Sequence, residues 1–496
     1  MSTSNETAPI AHPDHFYIGG EWTTPSGNTR IRVINSATEE LFVTVAEAQE
    51  TDVNRAVAAA RHAFDHGPWP RLDHKERAEY LRAIARELRN RADDMATIWT
   101  AESGAVHTTA KASVDFLPWV FEYYAGLAET FPFIEQHQPR AGNVGLLVRE
   151  PVGVVAAIIP WNGPCNFISW KCAPALLAGC SIVLKTSPEA PGNGYIMAEI
   201  CEKVGLPPGV FNLLTAERQV SELLVRHSGV DKVTFTGSTA AGRKIAAICG
   251  ERIARCTLEL GGKSAAVIMD DYDVLTAAKS IMGPAMYLSG QACSSLTRIL
   301  VTRKRHDAFV EALSSTYGAV KVGDPYDPST QMGPLAMSRQ RDRVEGYIAK
   351  GKAEGAILAT GGGRPAHLTR GYYIEPTVFG NVDNNYTIAR EEIFGPVITV
   401  IPVADEDQAI EIANDTIYGL NASVFTHDSE KAYNVARRLR SGTVGHNSFR
   451  TDFTIAFGGF KQSGLGREGG REGLLSFLET KTVVLDEKPV FLHKGH

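Results

Sequence analysis

From residue 152 onward, short runs of apolar and β-branched residues alternate with longer amphipathic stretches. The short runs predict buried strands over 152–159, 181–185, 210–214 and 232–236. Strands that alternate with helices pair in parallel, so we expect an α/β fold with a doubly wound sheet. Ligands of such sheets bind beyond the carboxyl ends of the strands.

A second α/β series follows the first. It predicts strands over 264–269 and 298–302, and helices over 274–287 and 304–317. We therefore expect two lobes, with a ligand site in the cleft between them.

The remaining predicted elements lie on either side of the two lobes. Helical spacing covers 51–64 and 74–103, and the segment 131–150 has the pattern of a strand, a turn and a second strand. Near the C-terminus, a predicted helix over 473–479 precedes a predicted strand over 481–485. The two remote β segments are expected to form one small additional sheet.

The composition of the 496 residues excludes several classes of function. The chain is 44% apolar and 21% charged, with a net charge of −6 and no long block of like charge. This balance argues against a nucleic-acid binder and against a polybasic membrane anchor. The longest apolar run, 152–159, is too short to cross a bilayer. A small molecule is the expected partner.

Cysteine usage and the N-terminal sequence indicate a cytoplasmic protein. The seven cysteines are an odd number without metal-ligand clustering, which fits reduced thiols. The first residues lack the cationic start and the apolar stretch of a secretory signal. His62 and His66 have i,i+4 spacing but no acidic third ligand, so no metal site is expected.

Two reactive side chains stand beside glycines. Cys293 follows Gly290, and Glu259 precedes Gly261 and Gly262. Glycine permits close backbone approach, so the two loops can face one centre with a thiol nucleophile and a carboxylate base. A cysteine beside small residues is more often a buried core thiol. The interpretation therefore depends on the other motifs.

Polar motifs follow the ends of three predicted strands. Asn162 comes after the first, where its amide could donate to an oxyanion or form a plain Asn-Gly turn. Lys185 ends the second, where it could hold ribose or phosphate oxygens or remain solvated. The turn 236–242 leads into a helix, which suits a diphosphate at the helix N-terminus or an ordinary Ser/Thr cap.

Other motifs are ambiguous or rejected. Glu392 and Phe394 precede a Gly-Pro turn, where they could bind ribose hydroxyls and nicotinamide, although a solvated acidic pair is the simpler interpretation. The glycine pattern over 464–469 does not follow a strand of a βαβ unit. The segment 262–264 matches the end of a P-loop but lacks the loop's first glycine.

Seven motifs in one order carry a resemblance that covers nearly the whole chain. They are Pro160-Trp161-Asn162, Lys185, Phe235-Thr236-Gly237-Ser238, Glu259-Leu260-Gly261-Gly262-Lys263, Gly290-Gln291-Ala292-Cys293, Glu392-Ile393-Phe394-Gly395-Pro396 and Phe457-Gly458-Gly459-Phe460-Lys461-Gln462-Ser463-Gly464. In this order the sequence resembles the NAD(P)-dependent aldehyde dehydrogenase superfamily. The resemblance implies a Rossmann-type cofactor domain over 1–130 and 151–261 and an α/β catalytic domain over 262–470. It also implies small β oligomerisation or bridging segments over 131–150 and 471–496, and hence a homodimer or homotetramer.

The resemblance further implies a role for each candidate residue. The catalytic residues are Cys293 as the nucleophile that forms a thiohemiacetal and then a thioester, Asn162 at the oxyanion, and Glu259 as the activator of the hydrolytic water. The cofactor, NAD with NADP as the alternative, is contacted by Trp161, Lys185, Gly237, Ser238, Gly242, Glu392 and Phe394. The aldehyde pocket is lined by Gly163, Phe167, Trp170, Ala292, Ser294 and Phe457. These walls suit aromatic, long-chain or terpenoid aldehydes.

Four positions depart from the family pattern. Pro188 replaces a Glu that binds the adenosine ribose in many NAD-preferring members, with Glu189 adjacent, so the choice between NAD and NADP stays open. Leu288 replaces a common Asn in the loop before the nucleophile. Ala456 stands where Pro is usual, and Ala216 occupies a turn where Gly is frequent.

Three alternative functions remain open. In an acylating dehydrogenase, coenzyme A takes the acyl group, although retention of Glu259 favours water as the acceptor. A non-catalytic protein on the same fold is expected to lack Cys293 or Glu259, and both are present. A thiol hydrolase pairs cysteine with histidine, and no histidine lies within a dozen residues of Cys293.

Overall fold

The computed structural model describes residues 8–490 of the chain, and two large β-sheets position the candidate residues. The strands are β1 (Phe16–Ile18), β2 (Glu21–Thr23), β3 (Arg30–Ile34), β4 (Leu41–Ala46), β5 (Ile134–His137), β6 (Val144–Pro151), β7 (Val154–Ile158), β8 (Ser181–Thr186), β9 (Phe211–Thr215), β10 (Lys232–Thr236), β11 (Arg255–Glu259), β12 (Ser264–Ile268), β13 (Leu296–Thr302), β14 (Ile357–Thr360), β15 (Thr377–Gly380), β16 (Val397–Val403), β17 (Asn421–Phe425), β18 (Thr443–His446), β19 (Gly464–Leu465) and β20 (Leu478–Leu485).

Helices cover both faces of the large sheets. The α-helices are α1 (Glu50–Asp65), α2 (His74–Asn90), α3 (Ala92–Ser103), α4 (His107–Thr130), α5 (Pro164–Ala178), α6 (Gly192–Lys203), α7 (Arg218–Arg226), α8 (Thr239–Glu251), α9 (Val274–Met286), α10 (Arg303–Gly318), α11 (Ser338–Ala353), α12 (Thr387–Arg390), α13 (Glu406–Asn414), α14 (Ser429–Arg438) and α15 (Gly470–Leu475). Within residues 8–490, no helix has both the length and the apolar composition needed to cross a bilayer.

The first large sheet contains the strands predicted from residue 152 onward. Its order is β19–β11–β10–β7–β8–β9, and β7 to β11 run parallel. The four predicted strands correspond to β7, β8, β9 and β10, with ends that agree within two residues. Every residue of β10 is buried, as expected for a parallel strand covered by helices on both faces. The predicted α/β doubly wound sheet is confirmed.

A strand from near the C-terminus completes this sheet. Leu465 pairs antiparallel with Leu258, and Gly464 pairs with Glu259. The segment 464–465, which the sequence places in the catalytic region, therefore lies on the edge of the first sheet beside a candidate catalytic residue.

The second large sheet follows the order β14–β15–β16–β13–β12–β17–β18. Its strands from β15 to β18 run parallel, and β14 is antiparallel to β15. The predicted strands 264–269 and 298–302 are β12 and β13. Cys293 lies three residues before β13, so the second sheet carries the loop of the candidate nucleophile.

The two remote β segments pair as expected. β20 and β5 flank β6 in an antiparallel sheet, with register pairs that run from Leu478 with Pro151 to Leu485 with Val144. The predicted helix 473–479 is wrong at its end, because α15 stops at Leu475 and Leu478 already belongs to β20. Pairing with β6 outweighs the helical spacing of these residues.

The helices differ from the sequence prediction in two places. The segment 74–103 is not one helix, because α2 and α3 meet at Arg91, whose φ of −108° and ψ of 12° leave the helical range. The helix α4 was not predicted; it contains Pro118, and proline is normally a helix breaker. α2, α4 and α5 pack on the core beneath the first sheet.

Candidate active site

The loop before Cys293 has an unusual backbone. Leu288, Ser289 and Gly290 have φ values of 51°, 56° and 76°, a region that non-glycine residues adopt at a cost in free energy. The Ser289 hydroxyl donates to a nearby carbonyl (2.8 Å), and Gln291 Nε2 donates to the Leu288 carbonyl (2.9 Å). These bonds hold the loop that presents the thiol.

Glycines allow three loops to meet around this thiol. A Cβ added to Gly262 would overlap the carbonyl oxygen of Cys293, and one added to Gly290 would overlap the backbone of Gly395. Gly262 lies three residues after β11, and Gly395 lies shortly before β16. The two large sheets therefore approach each other here through backbone alone.

Asn162 follows β7 and lies against the same loop. Its Nδ2 donates to the Gln291 carbonyl (2.8 Å), and its own carbonyl accepts from Trp99 Nε1 (2.9 Å). The residue is buried. The Asn162 side-chain amide is therefore held against Gln291, two residues before Cys293 in the chain.

Glu259 is the last residue of β11 and is 2% exposed. Neither of its carboxylate oxygens has a hydrogen-bond partner within the described chain. Burial raises the pKa of Glu259 well above its usual value, and the nearby Glu468 raises it further, while Lys171 and Arg467 oppose the shift. A buried acid without partners is poised to exchange a proton.

A buried ion pair lies behind Glu259. Lys171 Nζ donates to Glu468 Oε1 and to Thr234 Oγ1, the latter at 3.2 Å. The Lys171 side chain is fully buried, and that of Glu468 is 3% exposed. Sequence analysis identified neither residue, although Lys171 directly follows Trp170 and Glu468 lies within the rejected glycine pattern 464–469.

The electrostatic field around Cys293 favours the neutral thiol. Although the residue is partly exposed, burial raises the pKa of Cys293, and the carboxylates of Glu392 and Glu259 raise it further. The backbone N–H groups of Cys293 and Ser294 oppose this shift. Deprotonation of the thiol therefore requires a base close to it.

Glu392 is a second carboxylate that acts electrostatically on Cys293. Its Oε1 accepts the Gly262 N–H (3.1 Å). Burial raises the pKa of Glu392 to about 7, against the Gly262 hydrogen bond and the charge of Arg343. Phe394, two residues later, has a φ of 62° and stands edge-on to Trp161, with ring centroids 5.3 Å apart.

Comparison with known proteins fits this arrangement. The model of the aldehyde dehydrogenase family matches residues 22–483. The chain belongs to the aldehyde dehydrogenase family.

Its relatives in this family are similar over almost their entire length. Geranial dehydrogenase of Castellaniella defragrans is 43% identical over 472 residues, which cover 95% of this chain and 98% of the relative. The 3-succinoylsemialdehyde-pyridine dehydrogenase of a Pseudomonas species is 42% identical over 473 residues, with coverage of 95% and 98%.

Two solved aldehyde dehydrogenases superimpose closely on this chain. The Mycobacterium tuberculosis enzyme in complex with NAD+ gives a TM-score of 0.93 at 44% identity, covering 95% of this chain and 98% of its own. The Pseudomonas syringae aldehyde dehydrogenase C mutant with NAD+ and octanal gives 0.94 at 38% identity, covering 98% and 100%.

In this aldehyde dehydrogenase, further polar groups lie along the carboxyl edge of the first sheet. Lys185 is close to the end of β8, and burial lowers its pKa to about 8, against the charges of Glu189 and Glu217. Ser238 caps α8, with its Oγ accepting the Ala241 N–H (3.3 Å). A cation and a helix N-terminus thus lie along the same edge.

Gly237 and Gly242 shape the same region of the aldehyde dehydrogenase fold. A Cβ on Gly237 would lie 2.5 Å from the Phe235 ring, and one on Gly242 would overlap the Leu260 side chain. These contacts bring α8 close to the ends of β10 and β11.

Pro188 is followed by a carboxylate that already has partners. Glu189 accepts from the Ser187 hydroxyl and forms an ion pair with Arg339. Although burial raises it, these two partners hold the pKa of Glu189 below its usual value. In this structure Glu189 is engaged with its neighbours.

The aromatic wall is a series of ring contacts between α5 and the segment that joins β18 to β19. Phe167 and Trp170 meet edge to face with centroids 5.2 Å apart, Trp170 stacks on Phe453 at 3.7 Å, and Phe453 contacts Phe457 at 4.9 Å. Phe453 was missed by sequence analysis, because it lies in an irregular loop without periodicity.

Small residues complete the surroundings of the wall. Ala292 and Ser294 flank Cys293 in the chain, and Ser294 is buried. A Cβ on Gly163 would lie 3.5 Å from the Phe167 ring, an ordinary contact distance. Gly163 therefore lies directly against the Phe167 ring.

Proposed function

We propose that this chain oxidises an apolar aldehyde to the carboxylic acid with NAD+, using Cys293 as the nucleophile and Glu259 as the base. The observation that carries the proposal is the state of Glu259. Its carboxylate is buried, has no hydrogen-bond partner within the described residues, and acts electrostatically on the Cys293 thiol. Since Glu259 makes no hydrogen bond to another described residue, it loses none when it accepts a proton.

The first step is addition of Cys293 to the aldehyde. The thiol gives up its proton to Glu259, and the sulfur attacks the carbonyl carbon to form a thiohemiacetal. In this step the Asn162 amide and the Cys293 N–H donate hydrogen bonds to the resulting oxyanion. One such donor typically contributes about 10²–10³ in rate.

The residues of the carboxyl edge fit a nicotinamide dinucleotide. Lys185 supplies a buried cation for ribose or phosphate oxygens, and the N-terminus of α8 at Ser238 suits a diphosphate. Glu392 offers an acceptor for ribose hydroxyls, and Phe394 offers a ring face. When bound, NAD+ accepts the hydride that leaves the substrate carbon, and a thioester remains on Cys293.

Hydrolysis of the thioester is the task of Glu259. The carboxylate takes a proton from a water molecule, which attacks the acyl carbon and releases the acid from Cys293. The raised pKa makes Glu259 a stronger base than an ordinary carboxylate. The charges of Glu468 and Lys171 act on this carboxylate in opposite directions: Glu468 raises the pKa of Glu259, and Lys171 lowers it.

The aromatic wall supports an apolar substrate. Phe167, Trp170, Phe453 and Phe457 form a continuous series of ring contacts. Apolar rings bind apolar chains by removing both from water. The names of two similar proteins, a geranial dehydrogenase and an enzyme crystallised with octanal, agree with this substrate class.

A second aromatic stripe extends from this wall along α4. Phe116, Trp119 and Tyr123 stack in order, with centroids 4.8 Å and 5.6 Å apart. The Tyr123 hydroxyl donates to the Thr454 carbonyl (3.0 Å), next to Phe453. Phe116 is 46% exposed and Trp119 is 37% exposed, so the stripe offers a longer aldehyde further apolar contact.

The cofactor preference and the assembly are part of the proposal. We favour NAD over NADP because two structural relatives contain NAD+, although Pro188 has no polar side-chain atom to bind the ribose. The antiparallel sheet has β5 and β20 at its edges, and such edges are normally covered by a partner. We therefore propose a homodimer or homotetramer, which size-exclusion chromatography tests. The odd number of unclustered cysteines supports a cytoplasmic location.

The deciding experiment is reduced-cofactor absorbance with geranial, octanal, benzaldehyde and acetaldehyde, each with NAD and with NADP. We expect NAD reduction with the apolar aldehydes, and none in Cys293→Ala. Addition of coenzyme A separates the acylating alternative, because it would then yield an acyl thioester instead of the acid. Wild-type protein that binds NAD but reduces it with none of these aldehydes would contradict the proposal.

A further inference from the structure

Arg298 is a buried cation at the junction of three chain segments. It lies in β13 and is 1% exposed. Its Nε donates to the Lys263 carbonyl (3.0 Å), and its Nη1 donates to Asn384 Oδ1 (3.0 Å). Nη1 and Nη2 also donate to the carbonyls of Ile412 and Ala413, at 3.0 Å and 2.9 Å. All four acceptors are uncharged, so these contacts are hydrogen bonds and not ion pairs.

An irregular strand register brings this arginine to the start of β12. Ser264 lies beside Leu296, but the next residue, Ala265, lies beside Arg298. The parallel pairing of β12 and β13 therefore slips by one residue at this point. Without the slip, Arg298 would lie beside Ala266, one residue further from the carbonyl that precedes β12.

The loop 260–263 joins β11 to β12 and carries contacts of the active site. The Gly262 N–H donates to Glu392 Oε1 (3.1 Å), and a Cβ on Gly262 would overlap the Cys293 carbonyl. A Cβ on Gly261 would overlap the Glu392 carboxylate. Backbone therefore packs directly on Glu392 and Cys293. A shift of this loop would move the Gly262 donor away from Glu392.

The two ends of the loop are held by different side chains. At the end next to β11, the Leu260 N–H donates to the Ser463 carbonyl (2.8 Å), and Ser463 Oγ donates to the Gly261 carbonyl (2.7 Å). The same Oγ accepts the Gly419 N–H (2.9 Å). At the end next to β12, the Nε of Arg298 holds the last carbonyl of the loop.

The C-terminal end of α13 anchors both contacts. The two backbone carbonyls that Arg298 binds there lie in the last turn of this helix. Lys461, two residues before Ser463, donates through Nζ to the carbonyls of Asn414 and Thr416, both at 2.9 Å. Both ends of the loop are therefore tied to one part of the second lobe.

We propose that Arg298 is a positioning residue, which holds the loop 260–263 against Glu392 and Cys293. Its effect on cofactor binding rests on the proposed role of Glu392. Lysine would not replace it, because the donors of an ammonium radiate from one atom, whereas a guanidinium presents a rigid fork that reaches separate acceptors. Arg298→Lys thus keeps the charge and loses part of the hydrogen bonding.

Hydrogen exchange of the cofactor-free protein tests the positioning directly. Deuterium uptake of the peptic peptides that cover 260–263 is compared by mass spectrometry between the wild type and Arg298→Lys. We expect these peptides to exchange about three- to tenfold faster in the variant, because the loop opens more readily when one end is released. Uptake equal to that of the wild type would overturn the proposal.

Arg77→Lys is a matched control for the loss of a buried arginine. Arg77 is 2% exposed and donates to the carbonyls of Leu177 (2.8 Å) and Leu72 (2.6 Å). These contacts join α2 to the last turn of α5 and do not touch the loop 260–263. We expect a lower Tm in both variants, but wild-type uptake of the loop in Arg77→Lys. Equally fast uptake of the loop in both variants would indicate general destabilisation and would overturn the proposal.

A second variant covers the case in which Arg298→Lys does not fold. Asn384→Ala leaves the arginine in place and removes one acceptor of its Nη1. We expect a smaller increase in the uptake of 260–263, about twofold. Wild-type uptake in this variant would overturn the proposal.

Cofactor binding is measured separately by isothermal titration calorimetry with NAD+. We expect Kd to rise about three- to tenfold in Arg298→Lys, because the loop no longer fixes Glu392, and to stay unchanged in Arg77→Lys. Faster uptake of the loop with an unchanged Kd would uphold the positioning by Arg298 and contradict the proposed role of Glu392 in cofactor binding. The two measurements therefore separate this inference from the proposed function.

Discussion

The two sides of the active site hold a carboxylate in different ways. On the side of the first sheet, Glu259 has no hydrogen-bond partner among the described residues, and burial and Glu468 raise its pKa well above the usual value. On the side of the second sheet, Glu392 accepts the Gly262 N–H at 3.1 Å, and burial raises its pKa to about 7.

The difference comes from the surroundings, because the residue type is the same. Burial raises the pKa of both carboxylates, and a hydrogen bond to the charged form opposes the shift only for Glu392. A partner-free acid can exchange protons, whereas a bonded acid is fixed as an acceptor. We infer that Glu259 accepts protons during the reaction, whereas Glu392 binds the cofactor.

Glu259→Gln tests the chemical side and has the largest expected effect. We expect kcat to fall about 10²–10⁴-fold, because the amide cannot accept a proton from water. The burst of reduced cofactor should also become slower, since Glu259 accepts the thiol proton before the thioester forms. Stopped-flow absorbance measures both quantities. In the wild type, kcat should rise with pH as Glu259 loses its proton, and the variant should lose this dependence.

Lys171→Met tests the support behind Glu259. The substitution leaves Glu468 buried without its partner, and we expect a loss of about 3–5 kcal/mol in the free energy of unfolding. The kcat profile should also move to higher pH, because Lys171 opposes the raised pKa of Glu259. Urea denaturation and pH-dependent kinetics measure the two effects. The double variant Lys171→Met with Glu468→Leu should recover most of the lost stability. If Lys171→Met alone is as stable as the wild type, the buried ion pair does not stabilise the fold and the prediction is wrong.

Glu392→Gln tests the binding side. We expect KM for NAD+ to rise about tenfold, roughly 1.4 kcal/mol, because an amide is a weaker acceptor than a carboxylate. The value of kcat at saturating NAD+ should stay near that of the wild type. Steady-state kinetics with varied NAD+ separates the two parameters. A large fall in kcat without a change in KM would place Glu392 in the chemical step and abolish the distinction from Glu259.

The smallest expected effect is on thermal stability. The folded-state pKa of Glu259 is raised, so the native state binds its proton more tightly than the unfolded state does. Stability is therefore lost as pH rises from the unfolded pKa toward the folded one. Glu259→Gln removes this loss, and we expect its Tm to exceed that of the wild type by about 1–3 °C at neutral pH. Scanning fluorimetry at acidic pH should show a smaller gain.

Sequence analysis predicted the site residues whose positions are set by the ends of the parallel strands. Asn162, Lys185, Gly237 and Glu259 stand at or just after strand ends, so the topology brings them to one edge. The contact between Gly262 and Cys293 was expected from their glycine-rich loops. Helix α4 was missed because Pro118 hides its pattern.

The remaining features depend on long-range packing. Lys171 and Glu468 are 297 residues apart in sequence, and nothing local to either predicts their ion pair. Phe453 enters the aromatic wall only because its loop folds back onto α5, where it stacks on Trp170. The partners of a side chain from an irregular loop are decided by tertiary structure, which local periodicity does not encode.

The strand β19 has a consequence for how the protein is made. Leu258 and Glu259 pair with residues 464–465, which leave the ribosome about two hundred residues later than β11 itself. At the usual rate of synthesis, roughly 5–20 residues per second, the edge of the first sheet stays open for about 10–40 seconds. During that interval the nascent chain exposes an unpaired strand that ends at Glu259. Whether β11 then pairs with β19 or with a strand of another chain would depend on chaperone binding and on how fast the second lobe folds.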